Sequence, residues 1–262
     1  MMQKSITFKN ANISFSDQGK GNAVVLIHGF LENASMWKNV VPEISKRNRV
    51  VTIDLLGHGK TDCLGYMHTM ELFAETIAAV LKELRIRKCV LVGHSLGGYI
   101  ALAFAEKYPQ KVKGLCLVNA TSNEDTSERK ALRLRANKMV TNNFRNIVRL
   151  SFANLFGPKS KTIFKKEMEL AISEALQTSM QGYIAAQEGM QLRANRNHVL
   201  TENSFNKLLI IGKKDPVLDF ESSLLEAEKT NSAIVVFPNG HMPHIENKLA
   251  LNDALKEFIK IC

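Results

Sequence analysis

Short apolar runs rich in β-branched residues recur along the chain and alternate with stretches of amphipathic pattern. Six runs have the length of one strand each, and they are apolar at successive positions, as expected for strands covered on both faces. These runs are residues 23–29, 49–57, 89–95, 114–120, 207–215 and 233–240. Because strands that alternate with helices at this spacing form parallel sheets, the pattern predicts an α/β fold with a doubly wound, mostly parallel sheet.

Helical patterns fill the intervals between the runs. Residues 69–85 carry leucine, isoleucine and valine on one side at helical spacing. Further helices are predicted at residues 34–47, 96–107, 221–230 and 248–261. Ahead of the first run, residues 5–19 predict a hairpin of two antiparallel strands.

The alternation stops between residues 122 and 206, where helical patterns follow one another without a strand. This predicts a helical cap (122–206) inserted between two segments of the α/β core, residues 1–121 and 207–262. Seven large side chains are available to face inward in the cap, and most are expected to pack it on itself: Phe144, Phe152, Phe156, Met168, Met180, Tyr183 and Met190.

The third apolar run ends in Gly93-His94-Ser95-Leu96-Gly97 and a helical stretch follows at once. A G-x-S-x-G sequence between a strand and a helix is typical of a sharp, strained turn that exposes the serine hydroxyl. Glycine at both flanking positions removes side chains that would clash in such a turn. We therefore expect Ser95 to be a nucleophile.

A serine nucleophile needs a histidine base and an orienting carboxylate. Asp215 closes the fifth run and His241 follows the sixth, so both are expected at the carboxyl edge of the sheet, near Ser95. The competing acid, Asp219, is expected to begin a helix. The competing base, His244, is interpreted as a neighbour of His241.

The first run ends in His28-Gly29, and Phe30 follows it. The turn at Gly29 would aim the Phe30 amide at the site, opposite the amide of Leu96, and the two would form an oxyanion hole. His58, in a glycine-containing loop after the second run, is interpreted as structural.

The charge and the amino-acid composition limit the classes of partner that the protein is expected to bind. The net charge is +10, but the basic residues are spread along the chain without a recognised nucleic-acid motif, so nucleic-acid binding is not expected. No signal peptide is expected, because residues 1–15 lack an apolar h-region, and no apolar stretch is long enough to predict a membrane span. The four cysteines form no CxxC pair and are expected to be reduced thiols of a cytoplasmic protein. No cofactor or metal is expected, and the oligomeric state stays open.

Together the motifs "HGF", "DLLGHG", "GHSLGG", "GKKDPV" and "GHMPHIE" resemble, in this order, the α/β-hydrolase fold superfamily, and in particular its small serine esterases and lactonases. The resemblance extends over essentially the whole chain. It implies hydrolysis of a carboxylic ester, thioester or lactone of a small, largely apolar substrate through an acyl-enzyme intermediate. One departure is "HIENKL", which lacks the proline that often follows the glutamate.

Several related functions stay open. Haloalkane dehalogenases and epoxide hydrolases of this fold use aspartate where this chain has Ser95, so both are disfavoured. Carbon–carbon bond hydrolases and cofactor-free haloperoxidases keep the serine triad. A hydrolase-like ligand receptor with slow turnover is an alternative of a different class, against which an intact triad argues.

Overall fold

The structure is a computed structural model that describes residues 3–262, so the first two residues of the predicted core segment 1–121 lie outside the described part. Eight strands form one sheet. They are β1 (Gln3–Phe8), β2 (Ala11–Gln18), β3 (Asn22–Ile27), β4 (Asn48–Ile53), β5 (Cys89–His94), β6 (Val112–Val118), β7 (Asn206–Gly212) and β8 (Ala233–Phe237).

The strands lie in the order β1-β2-β4-β3-β5-β6-β7-β8. The β1–β2 hairpin and the β2–β4 pair are antiparallel, and every other neighbouring pair is parallel. The predicted hairpin and mostly parallel sheet are therefore confirmed. Because β5, β6, β7 and β8 are parallel neighbours, the turns that follow them lie at one edge of the sheet.

Eleven α-helices are present among the described residues, and none is long and apolar enough to cross a membrane. They are α1 (Val41–Ile44), α2 (Met70–Glu83), α3 (Leu96–Lys107), α4 (Ser127–Ala153), α5 (Pro158–Ile163), α6 (Lys165–Ala175), α7 (Met180–Gln191), α8 (Asn197–Glu202), α9 (Phe220–Lys229), α10 (Pro243–Glu246) and α11 (Lys248–Lys260). The single helix predicted at 34–47 is wrong. A 3₁₀ helix (Ala34–Asn39) precedes α1 there, and α1 ends at Ile44.

Helices cover both faces of the sheet. On one face, α2 and α3 pack on a large apolar core. On the other, α1 and α11 pack with the buried Trp37. Strand β8 departs from the prediction of apolar runs covered on both faces, because Ala233, Ile234 and Val236 are exposed at the edge of the sheet.

Helices α4 to α8 lie between β6 and β7, with no strand among them. The long helix α4 is kinked at Asn143, whose φ of −149° and ψ of 50° are not helical. A third apolar cluster joins α4, α6 and α7 to Leu31 and Met242 of the core. The predicted inward orientation is wrong for Met180, which is 39% exposed at the start of α7. The division into domains at 122 and 206 stays a prediction.

Candidate active site

Ser95 occupies the sharp turn between β5 and α3. Its φ of 50° and ψ of −115° are a strained combination for a residue with a side chain. A Cβ atom at Gly93 would lie 2.2 Å from the carbonyl oxygen of Gly97, and one at Gly97 would lie 2.3 Å from the carbonyl oxygen of Ile27. The turn therefore requires glycine at both positions, and it leaves Ser95 half-buried at the carboxyl edge of the sheet.

A chain of hydrogen bonds joins Ser95 to His241 and Asp215. The Nε2 atom of His241 is 3.0 Å from Ser95 Oγ, and its Nδ1 atom is 2.7 Å from Asp215 Oδ2. The side chains of His241 and Asp215 are each 2% exposed. With the carboxylate ionised, Nδ1–H donates to Asp215, so Nε2 is free to accept the Ser95 hydroxyl proton. This is the arrangement that a serine nucleophile requires.

Further donors hold the Asp215 carboxylate. The Asn119 amide donates to Oδ2 at 2.7 Å, and the Val217 backbone N–H donates to Oδ1 at 2.7 Å. Burial acts to raise the pKa of Asp215, but His241 and these hydrogen bonds together outweigh it and lower the pKa below its ordinary value. Asp215 is therefore an anion at neutral pH, able to fix the orientation of the imidazole.

The competing acid, Asp219, and the competing base, His244, are not part of this chain of hydrogen bonds. Asp219 is the N-cap of α9, where its Oδ2 accepts from the Ser222 N–H at 2.8 Å, so the expectation that it begins a helix is confirmed. His244 is buried, with Nε2 3.4 Å from Glu32 Oε1, and burial lowers its pKa to about 4. Neither side chain is hydrogen-bonded to Ser95 in the described part of the chain.

Two backbone amides are available for an oxyanion. Those of Phe30 and Leu96 have no hydrogen-bond partner within residues 3–262, and Leu96 is the first residue of α3, where N–H groups point out of the helix. Position 29 requires glycine because a Cβ atom there would lie 2.4 Å from Glu32 Oε2, and not because the backbone has a positive φ. The structure thus keeps both predicted donors unpaired.

A buried ion pair lies behind the turn at His28-Gly29-Phe30, named the oxyanion turn because it carries one of the two predicted oxyanion donors. Glu32 Oε2 accepts from the Gly29 N–H at 2.8 Å and from His94 Nδ1–H at 2.7 Å. The other nitrogen of His94, Nε2, donates to the backbone carbonyl of His241 at 2.8 Å. Because both ring nitrogens of His94 face acceptors, the ring is an imidazolium. One carboxylate therefore connects the oxyanion turn to the segment that carries His241.

The pKa values of the two partners agree with that assignment. Burial acts to raise the pKa of Glu32, but the positive charge and the hydrogen bond of His94, together with the neighbouring His244, outweigh it and lower the pKa to about 2. Burial acts in the opposite direction on His94, and the neighbouring carboxylate outweighs it and raises the pKa of this imidazole above its ordinary value.

His28 and His58, near the turn at Gly29, are neutral. Burial lowers the pKa of His28 to about 4 and that of His58 to about 3. His28 Nε2 accepts from the Leu55 N–H at 2.9 Å, so its Nδ1–H donates to the Gly29 carbonyl at 2.7 Å. His28 thereby braces the turn before Phe30, and His58 packs against the Phe30 ring.

Ser95 and His241 open into a cavity of about 240 Å³ between the sheet edge and the inserted helices. Its walls combine apolar side chains with two arginines. The lining residues are Phe30, Leu31, Glu32, His94, Ser95, Tyr99, Arg129, Leu132, Arg133, Ala136, Ser151, Phe152, Leu155, Tyr183, Gln187, Met190, Val217 and His241. Of the seven cap side chains singled out from the sequence, Phe152, Tyr183 and Met190 thus face this cavity. Among residues 3–262, no group of three or more His, Cys, Asp or Glu side chains is arranged to hold a metal ion.

Sequence reasoning missed Glu32, Asn119 and the two arginines. Glu32 follows the "HGF" turn by two residues, and Asn119 follows β6 directly, so strand-end position was the available signal for both. The arginines belong to the amphipathic pattern of α4, which carries no comparable signal.

The chain is similar in sequence and in fold to known hydrolases. A family model for the alpha/beta hydrolase fold matches residues 22–248. A malate-bound thermophilic esterase from Thermogutta terrifontis superposes with a TM-score of 0.93 at 28% sequence identity, over 99% of this chain and 98% of that one.

Two curated proteins match part of the chain. An uncharacterized protein of Mycobacterium tuberculosis is 38% identical over 107 residues, which is 41% of this chain and 31% of that protein. The 2-hydroxy-6-oxo-2,4-heptadienoate hydrolase of Pseudomonas putida is 38% identical over 108 residues, which is 40% of this chain and 39% of that enzyme. The matched segments thus cover less than half of either relative.

Proposed function

This chain belongs to the α/β-hydrolase fold family, and from that premise we propose that it is a serine hydrolase of small carboxylic esters. The observation that carries the proposal is the hydrogen-bonded series Ser95–His241–Asp215 at the mouth of a cavity, with two unpaired amides beside it. The family and the 28%-identical esterase support a hydrolase in general terms.

In the first half of the reaction, Ser95 Oγ attacks the ester carbonyl carbon while His241 Nε2 takes the hydroxyl proton. The carbonyl oxygen becomes an oxyanion that accepts hydrogen bonds from the Phe30 and Leu96 amides. Asp215 stabilises the imidazolium formed at His241. The bond to the leaving oxygen then breaks, His241 gives that oxygen its proton, and the acyl group stays on Ser95.

In the second half, water replaces the alcohol. His241 takes one proton from the water, whose oxygen attacks the acyl carbon, and the Ser95–acyl bond breaks as the proton returns to Oγ. The products are a carboxylic acid and the free enzyme. The net reaction consumes one water molecule and requires no cofactor.

The size of the cavity favours small substrates. A volume of about 240 Å³ is at or below the small end of ligand pockets, which are roughly 300–1,000 Å³. The apolar and aromatic walls favour a short acyl or aryl group. Thioesters and lactones present the same carbonyl carbon to Ser95, so they belong to the proposed substrate range.

Carbon–carbon bond hydrolysis is the second candidate, because the 2-hydroxy-6-oxo-2,4-heptadienoate hydrolase is 38% identical over 108 residues. The same three side chains would serve it. Turnover of 2-hydroxy-6-oxo-2,4-heptadienoate, together with no hydrolysis of simple esters, would favour this candidate over the ester hydrolase.

Steady-state hydrolysis of 4-nitrophenyl esters from C2 to C12 tests the proposal. We expect continuous turnover that is fastest on short acyl chains, and a loss of at least about 10³-fold in kcat for Ser95→Ala. Ser5→Ala is the matched control, since Ser5 is exposed on β1, far along the sheet from β5.

Three results would contradict the proposal. Full activity in Ser95→Ala would remove Ser95 as the nucleophile. A single slow event without turnover would favour the receptor alternative, and equal rates at all chain lengths would exclude a shaped acyl pocket.

A further inference from the structure

Helix α4 presents two arginines to the cavity that contains Ser95. Arg129 and Arg133 are four residues apart, so they lie one above the other on the same face of the helix. Both are only partly exposed. Their guanidinium groups contribute positive charge to a wall that is otherwise largely apolar.

Arg133 is held in place by neighbouring side chains. Its Nε donates to Asp125 Oδ2 at 2.5 Å and its Nη1 donates to Gln187 Oε1 at 2.7 Å. Asp125 also accepts from Arg193 Nη1 at 2.5 Å, and its side chain is 2% exposed. One carboxylate therefore faces two guanidinium groups, and this cluster retains one positive charge.

Arg129 has no partner of its own. Its guanidinium group makes no ion pair or hydrogen bond with any residue in the part of the chain that the structure describes. Glu32 is the one carboxylate among the described residues that line the cavity, and it is committed to His94. The wall formed by α4 thus carries excess positive charge that no lining residue neutralises.

The chemistry of these groups selects a particular substrate. Guanidinium groups bind carboxylates through paired N–H donors, and the interaction strengthens where apolar walls exclude water. Because Arg129, Arg133 and Ser95 line the same cavity of about 240 Å³, one small molecule can contact α4 and also present a carbonyl to Ser95. An ester that carries a carboxylate on a short chain would satisfy both ends of the site.

We propose that the substrates of this site are anionic esters, namely half-esters of small dicarboxylic acids, whose free carboxylate binds Arg129 while Ser95 attacks the ester carbonyl, and that Arg133, already paired with Asp125, adds positive charge beside it. This inference rests on the proposed ester hydrolysis and narrows it to a substrate class. Arg129 and Arg133 then act as specificity-determining residues.

A matched pair of substrates isolates the effect of the carboxylate. Mono(4-nitrophenyl) glutarate carries the free acid, and methyl 4-nitrophenyl glutarate has the same chain with that acid capped. After correction for spontaneous hydrolysis, we expect wild-type kcat/KM to be about tenfold or more higher for the acid. Added salt should reduce this preference, because it screens the partly exposed guanidinium groups.

Variants assign the preference to the arginine wall. Arg129→Gln should lower kcat/KM on the acid about tenfold and change it less than about twofold on the capped ester. Arg135→Gln is the control, since Arg135 is exposed on the same helix and does not line the cavity. Arg133→Gln should act in the same direction, and turnover of the capped ester reports whether that variant has folded.

The outcomes separate the two proposals. If the wild type hydrolyses the capped ester without preferring the acid, or if Arg129→Gln affects both substrates equally, the carboxylate inference is wrong while ester hydrolysis stands. If neither ester is hydrolysed faster by the wild type than by Ser95→Ala, the proposed function fails and the inference fails with it.

Discussion

Replacing Glu32 with glutamine tests the connection between the oxyanion turn and His241. Two donors, the Gly29 N–H and His94 Nδ1–H, meet at a single oxygen of Glu32. Glutamine can place either an oxygen or an NH₂ group there. An oxygen keeps both hydrogen bonds but leaves the His94 cation buried without a counter-ion, and an NH₂ group opposes the Gly29 N–H. Neither orientation restores the wild-type arrangement.

The expected loss of stability follows from the pKa of Glu32. A fall from 4.5 to about 2 corresponds to ~3 kcal/mol of stabilisation of the folded, ionised state at neutral pH. Removal of one partner from a buried pair typically costs about 3–5 kcal/mol, which agrees in size. For a chain of this length, ~3 kcal/mol lowers Tm by roughly 6–12 °C.

The effect on stability depends on pH in a direction that can be worked out. Because the folded-state pKa of Glu32 is lowered, its contribution is present above pH 4.5 and is lost as the pH falls towards 2. The folded-state pKa of His94 is raised. The stability that the His94 charge contributes is therefore present below pH 6.5 and is lost as the pH rises through the raised pKa. The difference between wild type and Glu32→Gln should therefore be largest between about pH 4.5 and 6.5.

Denaturant unfolding across that pH range, together with kcat on a short ester, measures both consequences. A shift of about 1 Å in the His241 segment or the oxyanion turn lowers kcat by about 10²-fold. Glu83→Gln, on an exposed position of α2, controls for the loss of one negative charge. A Glu32→Gln protein with wild-type unfolding free energy at pH 6 would refute the ion pair. Reduced stability with unchanged kcat would refute its connection to the active site.

Two further predictions concern the turn and the acid. Asp215→Asn should lower kcat by roughly 10³–10⁴-fold with the fold retained, since an amide cannot both accept from His241 and meet the surrounding donors. Asp219→Asn should keep full kcat, because asparagine also caps α9; equal losses in the two variants on the same ester assay would contradict the assignment. Gly97→Ala should fail to accumulate as folded protein or lose several degrees in Tm, because its Cβ would lie 2.3 Å from the Ile27 carbonyl oxygen; an unchanged melting curve would contradict this.

The sheet could be predicted from the sequence because buried parallel strands have a strong local signature, but the strand ends could not. The run at 49–57 continues past the end of β4 at Ile53, since Leu55 and Leu56 are buried in the following loop. An apolar pattern reports burial, and a buried loop after a strand has the same pattern as the strand. Strand β8 was predicted to be covered on both faces because its residues are apolar. Strand residues at a sheet edge can, however, be apolar and still be exposed.

The positions of Ser95, Asp215 and His241 could also be predicted, because each directly follows a strand and parallel strands bring such positions to one edge. Glu32 and Asn119 occupy similar positions but were missed. Their partners are distant in sequence: His94 is 62 residues from Glu32, and Asp215 is 96 residues from Asn119. Nothing local in either segment indicates which strand end will lie opposite.

The cavity wall formed by α4 is the least predictable part of the molecule, and the reason is physical. On an amphipathic helix, arginines are expected on the solvated face, so the sequence provided no reason to expect Arg129 and Arg133 at the cavity and indicated a largely apolar substrate. Whether a charged face meets solvent or a cavity depends on how the helix packs over the sheet edge. The positions of the proposed catalytic groups are determined by local turns, whereas the charge that we propose selects the substrate depends on packing between α4 and α7, where Gln187 accepts a hydrogen bond from Arg133. If the anionic-ester proposal holds, exchange of the single cavity-facing residue Arg129 changes the substrate preference while Ser95, His241 and Asp215 stay in place.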